Sequence, residues 1–387
     1  MIEITRKQDC CGCFACENIC PTDAISMVSD EEGFWYPQVE ASKCISCEQC
    51  VRVCPELTPA PISQQTEALA CYRKDLEKRM ESASGGIFSV LAEQVIAQGG
   101  CVFGAAFDGQ WALSHFGADS CEELDRLKGS KYIQSRIGSA YRDVRSALKN
   151  NRKVLFSGTP CQVQGLKNFL GRDYPNLLTV DLVCHGVPSP EVWKQYLAEI
   201  SAGKHLAAIT PRDKKNGIQN APIVFRFDDG SEHRENYLDN PYLKGFIHNL
   251  YVRPSCFECR FKGIERCSDI TIGDFWGLEQ FAPDFCDPYG ISLVLLHTEN
   301  GRTAFSAVED KIAVHPASAN QACKENPCLL RPIARTEKRA AFFHDWKKSG
   351  VSKTVIRLTR PTFRQNMQKL DDRVRHGLWR IKHRLLR

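Results

Sequence analysis

The run Cys10-Cys11-Gly12-Cys13-Phe14-Ala15-Cys16-Glu17-Asn18-Ile19-Cys20-Pro21 is answered by Cys44-Ile45-Ser46-Cys47-Glu48-Gln49-Cys50-Val51-Arg52-Val53-Cys54-Pro55. Each run reads C-x2-C-x2-C-x3-C-P, and the second follows the first at an offset of 34 residues. Three thiolates at this spacing hold one 4Fe–4S cube, and the fourth cysteine reaches across to the other cube. Cube one then takes Cys10, Cys13, Cys16 and Cys54, and cube two takes Cys44, Cys47, Cys50 and Cys20. A zinc site would use two separated C-x2-C pairs and has no use for a third cysteine in step. A disulfide framework needs an oxidising compartment, for which nothing else in the chain argues. Cys11 lies off the register and reads as a bystander. The pattern is that of a protein that moves electrons.

Working outward, 387 residues suggest two or three domains. Hydrophobic residues at 43% and charged residues at 25% are ordinary for a soluble globular protein, whereas twenty cysteines are not. The start MIEITRKQDC lacks the apolar core of a secretory signal, and no stretch approaches the ~20 apolar residues of a membrane span. A cytoplasmic location with reduced thiols is the expectation. The net charge of +5 conceals an asymmetry. Residues 331–387 hold 17 Lys and Arg against 4 Asp and Glu, a local +13, so the remainder carries −8.

The expected fold class is α+β/α/β. Residues 1–56 form a two-cluster ferredoxin-like module, 57–67 a Pro-, Ser- and Gln-rich linker, 68–330 a mixed α/β body, and 331–387 a basic, mostly helical tail. A helix is expected over Ser84–Gln98, with Ser84 as its cap and Gly99-Gly100 as its stop. Strands follow in CVFGAAF from Cys101 and WALSHFGA from Trp111. VLFSGTPCQVQGLKNFL, from Val154, and LLTVDLVCHGVPSPEVWKQYL, from Leu177, are two strand–turn–helix units. Strands joined by crossover helices lie parallel, so their carboxyl ends share one edge, where ligands usually bind. Cys161 and Cys184 both fall there. FRFDDGSEHREN reads as a hairpin around Asp229-Gly230. In the tail, Val351, Val355 and Leu358, then Met367, Leu370, Val374, Leu378, Ile381 and Leu385, recur at helical spacing on either side of Pro361.

A second group of cysteines stands in PSCFECRFKGIERCSD: Cys256 and Cys259, then Cys267. With Cys161 and Cys184 it makes five thiols, one more than a cube needs. Buried cysteines are often just small hydrophobes, and a lone C-x2-C can be a zinc half-site or a redox pair. The presence of two cubes already favours a third. Two glycine-bearing helix starts, Gly85-Gly86 and Gly158-Thr159-Pro160, expose backbone N–H groups suited to phosphate. LKGSKYIQS adds Lys128, Ser130, Lys131, Tyr132 and Ser135, which could grip a pyrophosphate or the edge of a flavin. None of these is a G-x-G-x-x-G fingerprint, and ordinary capping accounts for each taken alone.

Taken in order, SGGIFSVLAEQVIAQGG, LKGSKYIQS, SGTPCQVQGL, VDLVCHGVPSP and PSCFECRFKG…CSDITIGDFWG resemble the beta-subunit family of coenzyme F-420 hydrogenases and dehydrogenases, with an amino-terminal two-cluster ferredoxin. The resemblance covers residues 1 to about 330. It implies an FAD-binding iron–sulfur oxidoreductase. It nominates Gly85, Gly86, Ser130, Lys131 and Tyr132 as flavin contacts and favours Cys161, Cys184, Cys256 and Cys259 as the third cube's ligands, with Cys267 in reserve. ITIGDFWG and VCHG depart from the deazaflavin-reducing branch, so the acceptor stays open between a deazaflavin coenzyme and another organic substrate such as a glycan-biosynthesis intermediate.

The resulting expectation is a flavin-dependent oxidoreductase fed by a ferredoxin-type donor. The alternative is a non-catalytic electron-transfer subunit docked on a larger redox enzyme. His185, beside Cys184, is the candidate proton donor, or else a polar residue supporting the cluster loop. Asp274 and Trp276 are candidates for the same cleft. The basic tail suggests contact with an acidic protein or with the inner face of an anionic membrane, the ordinary alternative being a helix packed on the body with a solvated charged face. A nucleic-acid role leaves the flavin-like body unexplained.

Overall fold

A computed structural model describes residues 1–62 and 65–360. Each cysteine run folds into a tight loop closed by a short helix, Ala15–Ile19 in the first and Gln49–Arg52 in the second. The internal repeat extends to the backbone. Gly12 and Phe14 in the first run, and Ser46 and Glu48 at the matching positions of the second, all have positive φ. Three of these four are not glycine, a conformation a chain keeps only where its surroundings over-determine it. At Gly12 a side chain is also excluded, because a Cβ would stand 2.4 Å from Gln134 Nε2 and 2.9 Å from the Arg253 guanidinium carbon. A hairpin of β1 (Ile25–Ser29) and β2 (Trp35–Val39) lies between the runs.

The body is built on an eight-stranded sheet. Its strands are β3 (Glu67–Arg73), β4 (Cys101–Phe107), β5 (Leu113–Ala118), β6 (Val154–Gly158), β7 (Leu177–Leu182), β11 (Ile270–Asp274), β12 (Ser292–Leu296) and β13 (Ile312–Ala317). The order is β13-β3-β12-β11-β7-β6-β4-β5. The four central strands β11, β7, β6 and β4 are parallel, and the flanking pairings are antiparallel. Helices Pro160–Leu170 and Pro190–Ser201 follow β6 and β7, as the two strand–turn–helix units require. Strands β8 (Leu206–Thr210), β9 (Ile223–Phe227) and β10 (Glu232–Glu235) form a separate antiparallel sheet, and β9–β10 is the expected hairpin.

Two expectations are corrected. The helix expected over Ser84–Gln98 runs Ile87–Ala97 and is capped by Gly86 at φ 85°, not by Ser84, whose hydroxyl donates to the Ile291 carbonyl. The chain must first pass flush against the sheet: a Cβ on Gly85 would lie 2.5 Å from the Cys71 carbonyl oxygen and 2.7 Å from Ser292 N. Second, the described part of the tail is packed rather than displayed. Helices Lys338–Ser349 and Val351–Thr359 bury Phe342, Trp346, Val351 and Val355 in one core with Trp193, Tyr196 and Tyr251. The run from Met367 to Leu385 lies outside the described residues.

Module and body share a core. Phe14, Cys13, Cys16 and Val53 pack with Tyr141, Val163, Leu166 and Phe169. Arg142 donates to the Glu17 and Asn18 carbonyls and to Asp23, and Arg339 pairs with Glu32. The expected linker is held where it is described, since Asn168 Nδ2 donates to the Thr58 carbonyl at 2.7 Å.

Candidate functional site

Three hollows follow one another through the molecule. Cys10, Cys13, Cys16 and Cys54, the four residues assigned to cube one, line a small pocket with Ile2, Ile4 and Met27. All four are buried, and burial raises the Cys10, Cys16 and Cys54 thiols, Cys54 to about 12. Metal coordination reverses that shift by stabilising the thiolate. The second set lies nearer the surface. Cys20, Cys44 and Cys47 are partly exposed, and Ile45, between the last two, is 63% exposed. The Thr22 hydroxyl donates to the Lys43 carbonyl at 2.8 Å, drawing the Cys20 loop to the Cys44 loop. Burial raises the Cys20 thiol, but the N–H groups of Thr22, Ala24 and Ile25 outweigh it, and the net shift is downward.

The second hollow gathers Cys161, Cys184, Cys256 and Cys259 from three separate segments, together with Cys11, Glu56, Lys262 and Arg266. Cys161 opens the helix after β6, where the Thr159 hydroxyl lies 3.2 Å from its sulfur. Cys184 follows β7, and Lys262 Nζ ties the Cys184 carbonyl to that of Cys328. Cys256 and Cys259 lie in and just after the short helix Pro254–Glu258. Burial raises Cys184 to about 12 and raises Cys256 and Cys259 as well, while Cys161 is lowered, chiefly by hydrogen bonding from Cys11. Cys267 does not line this hollow; it is buried in the core near Asp181. Among the described residues no three His, Cys, Asp or Glu converge on a single-ion point. Ligands of a cube need not do so, because each binds its own iron.

Cys11 departs from its reading as a bystander. It lines both the first and second hollows, and its thiol is within hydrogen-bonding reach of Cys13 and Cys161. No spacing rule could have found it, because the contact joins residues 150 positions apart.

The third hollow is a cavity of about 470 Å³ at the carboxyl edge of the parallel strands, within the usual size of a cofactor site. Its walls bring together Gly86, Ser130, Lys131, Tyr132, Ser135, Gly158 and Thr159, seven of the eight residues nominated for a flavin. Gly85 is buried against β3 and β12 instead. Gln162 joins two of these segments. It closes a capping box with Thr159, and its Nε2 donates to the Ser135 hydroxyl at 3.0 Å. Lys131 donates to the Arg126 and Lys128 carbonyls at 3.0 and 2.7 Å, leaving one of its three donors. Desolvation by the surrounding walls draws it down to about 7, although the side chain is half-exposed to the cavity.

Sequence reasoning missed two further wall residues. Arg212 donates to Asp274, to the Tyr132 hydroxyl and to the Ala83 carbonyl, so the expected cleft residue Asp274 is already paired. His115 is held neutral by burial, at about 4, with Nε2 3.0 Å from the Ser157 carbonyl. Trp276, Leu182 and Ile247 line the cavity and are exposed at its mouth. His185 borders both the second and third hollows. Its Nε2–H donates to Asn249 Oδ1 at 2.7 Å, and its Nδ1 lies 3.3 Å from Cys328 Sγ. Asn249 Nδ2 donates to the Ala334 carbonyl, which fixes the amide and with it the imidazole tautomer.

Residues 151–320, which supply most of the second hollow and half of the third, match the family profile for the carboxy-terminal part of the coenzyme F420 hydrogenase/dehydrogenase beta chain, and residues 9–57 match the 4Fe-4S dicluster domain. The chain thus joins a 4Fe-4S dicluster segment to a segment that matches the coenzyme F420 hydrogenase/dehydrogenase beta-subunit family. The family segment contains Cys161, Cys184, Cys256 and Cys259, and the dicluster segment contains both cysteine runs. The F subunit of the F(420)H(2) dehydrogenase of Methanosarcina mazei is 22% identical over 333 residues, covering 81% of this chain and 86% of that protein. The B subunit of the Na(+)-translocating ferredoxin:NAD(+) oxidoreductase complex of Acetobacterium woodii is 36% identical over 74 residues, 19% of this chain and 21% of that protein. A chain of the F420-reducing [NiFe] hydrogenase complex from Methanosarcina barkeri aligns with a TM-score of 0.45 and 16% identity, over 67% of this chain and 88% of that one. The protein is an iron–sulfur electron-transfer protein related to F420 hydrogenase and dehydrogenase subunits. No helix among the described residues is long and apolar enough to cross a membrane.

Proposed function

We propose that this chain is a flavin-dependent iron–sulfur oxidoreductase, with FAD in the large cavity and an organic acceptor at its mouth. The observation that carries the reading is the sharing of walls. Cys11 lines both cysteine hollows, and the segment Cys184–Val187 lines both the second hollow and the large cavity. Cubes exchange single electrons, and a flavin collects two for hydride chemistry. The chain's own contribution is placement. Cys10, Cys13, Cys16 and Cys54 would hold cube one, and Cys20, Cys44, Cys47 and Cys50 the more exposed cube two, where a ferredoxin-type donor could approach. Cys161, Cys184, Cys256 and Cys259 would hold a third. Lys131 and the N–H groups at the start of the helix Ile87–Ala97 would receive the anionic part of FAD. Trp276, Leu182 and Ile247 give the mouth an apolar rim suited to a ring-bearing acceptor, a deazaflavin coenzyme or a glycan-biosynthesis intermediate.

Anaerobic purification with iron, sulfide and flavin determination tests this. About twelve irons, from three four-iron cubes, and one FAD are expected; eight irons, or no uptake of added FAD, would refute the corresponding site. A second reading, an electron-transfer subunit without its own substrate, is favoured by relatives named as subunits. Turnover of an organic acceptor by the isolated chain with an artificial donor separates the two.

A further inference from the structure

Arg253 directly precedes the Pro254–Glu258 helix, and its side chain is fully buried. It reaches the backbone of Cys10, which lines the first hollow, while Cys256, three residues further along the chain, lines the second. Nε donates to the Cys10 carbonyl at 2.8 Å, one terminal nitrogen to Gln134 Oε1 at 3.1 Å, and the other to the Trp35 carbonyl at 2.9 Å. The guanidinium faces the Tyr36 ring at 4.4 Å and the Phe34 ring at 5.5 Å. Every one of these partners is neutral. Among the described residues no carboxylate lies within ion-pair distance of Arg253, although Arg73, Arg79, Arg212 and Arg266, also deeply buried, each have one. The anionic groups that most favour its charge include the Cys10, Cys11 and Cys256 thiols, which belong to both hollows.

A fully buried cation without a counter-ion is costly, and proteins retain such a charge only where an anion compensates it. Four thiolates around a cube supply that anion. We propose that Arg253 is the fixed counter-charge shared by cube one and the third cube. By stabilising each cube more in its reduced, more negative state, it raises the reduction potential of both. Its fork of hydrogen bonds to Cys10, Gln134 and Trp35 at the same time holds the module against the body. The inference rests on the three-cube reading for its second half only, since Cys10 belongs to the first run.

The test is a potentiometric titration of the anaerobic, iron-loaded full-length protein, followed by electron paramagnetic resonance, in wild type, Arg253→Met and Arg253→Lys. Arg253→Met should keep its iron and lower at least one midpoint potential, so that the reduced-to-oxidised ratio at fixed poise falls about tenfold, a shift of about 59 mV for a one-electron couple. Arg253→Lys, which keeps the charge but loses the fork, should stay within about threefold of wild type, about half that shift on a logarithmic scale. Fully loaded Arg253→Met with unchanged potentials would overturn the proposal. If Arg253→Met fails to load iron, the Lys variant decides: normal potentials support a charge role, and failure to load there too would overturn it in favour of packing alone. Eight irons in the wild type would reject the third cube, and the potential of cube one would still test Arg253.

Discussion

Lys131 shows how a single residue can carry a pH dependence. Its ammonium is held by two backbone carbonyls in a walled cavity, and desolvation lowers it to about 7. An anionic ligand favours the charged form, so binding above that value must take up a proton. FAD affinity is therefore expected to be level below pH 7 and to fall by up to about tenfold per unit above it. Lys131→Ala should weaken FAD by about 1.5–3 kcal/mol, the range for a hydrogen bond to a charged group, and flatten the profile. Titration calorimetry across pH 6–9 checks both; a wild-type affinity independent of pH would reject the role. His185 makes the opposite case. Both ring nitrogens are taken by Asn249 and Cys328, so His185→Gln should leave the pH profile of turnover unchanged, whereas a proton donor's loss would remove an ionisation from it. The two amino-terminal cysteine runs were legible in the sequence because one cluster's geometry dictates their local spacing, and residues 9–57 match the 4Fe-4S dicluster domain. Cys11 and Arg253 were not, because their role arises from a tertiary approach that leaves no periodic trace.

At the level of elements, the two strand–turn–helix units were readable because alternation, a Thr159-Pro160 or Ser189-Pro190 start and helical periodicity all agree there. Parallel pairing of β6 and β7 then brings Cys161 and Cys184 to one edge. Cys161→Ser or Cys256→Ser is expected to lower iron by about four atoms, one cube, while leaving the amino-terminal signals; unchanged iron in both would reject the ligand set. The tail was read less well. Periodicity marked Val351 and Val355 as one apolar face but could not say whether that face meets the body or a partner. Both are fully buried, and Glu199 accepts from the backbone N–H of Ser352 at 3.0 Å. Ending the chain at residue 350 should thus cost about 3–6 kcal/mol from the two valines alone, seen as a lowered thermal midpoint. A chain ending at 360 keeps both valines and should keep that contribution. Equal midpoints for the two truncations would return Val351–Thr359 to an interaction role.

For the whole molecule the sequence suggested a metal-held module, a Pro-rich linker and an α/β body. Module and body share one core. Tyr141, Val163, Leu166 and Phe169 of the body lie in one core with Cys13, Phe14 and Cys16 of the first cysteine run, and each apolar side chain of this size loses about 1.5–3 kcal/mol when fully exposed. Four such losses approach the whole stability of an ordinary domain, about 5–15 kcal/mol. Excision would in addition leave Arg142, Arg253 and Arg339 without the partners they have on the module. The end of the module and the start of the linker are tied to the body, since the Pro55 and Thr58 carbonyls accept from Gln164 and Asn168 on the helix Pro160–Leu170. A chain beginning at residue 65 is therefore expected to aggregate or to unfold without cooperativity, and to bind no FAD. Adding the module as a separate polypeptide should not restore it. Gel filtration and thermal denaturation would decide: a monomeric, cooperatively unfolding body that still takes up FAD would mean that the module is a docked appendage. If the body fails as expected, the relative placement of the three hollows is fixed by one common core. Electron transfer along them would then need no domain motion, and mutations at Tyr141 or Phe169, far from any cysteine ligand of cube one in sequence, should impair the loading of that cube as well as the stability of the sheet.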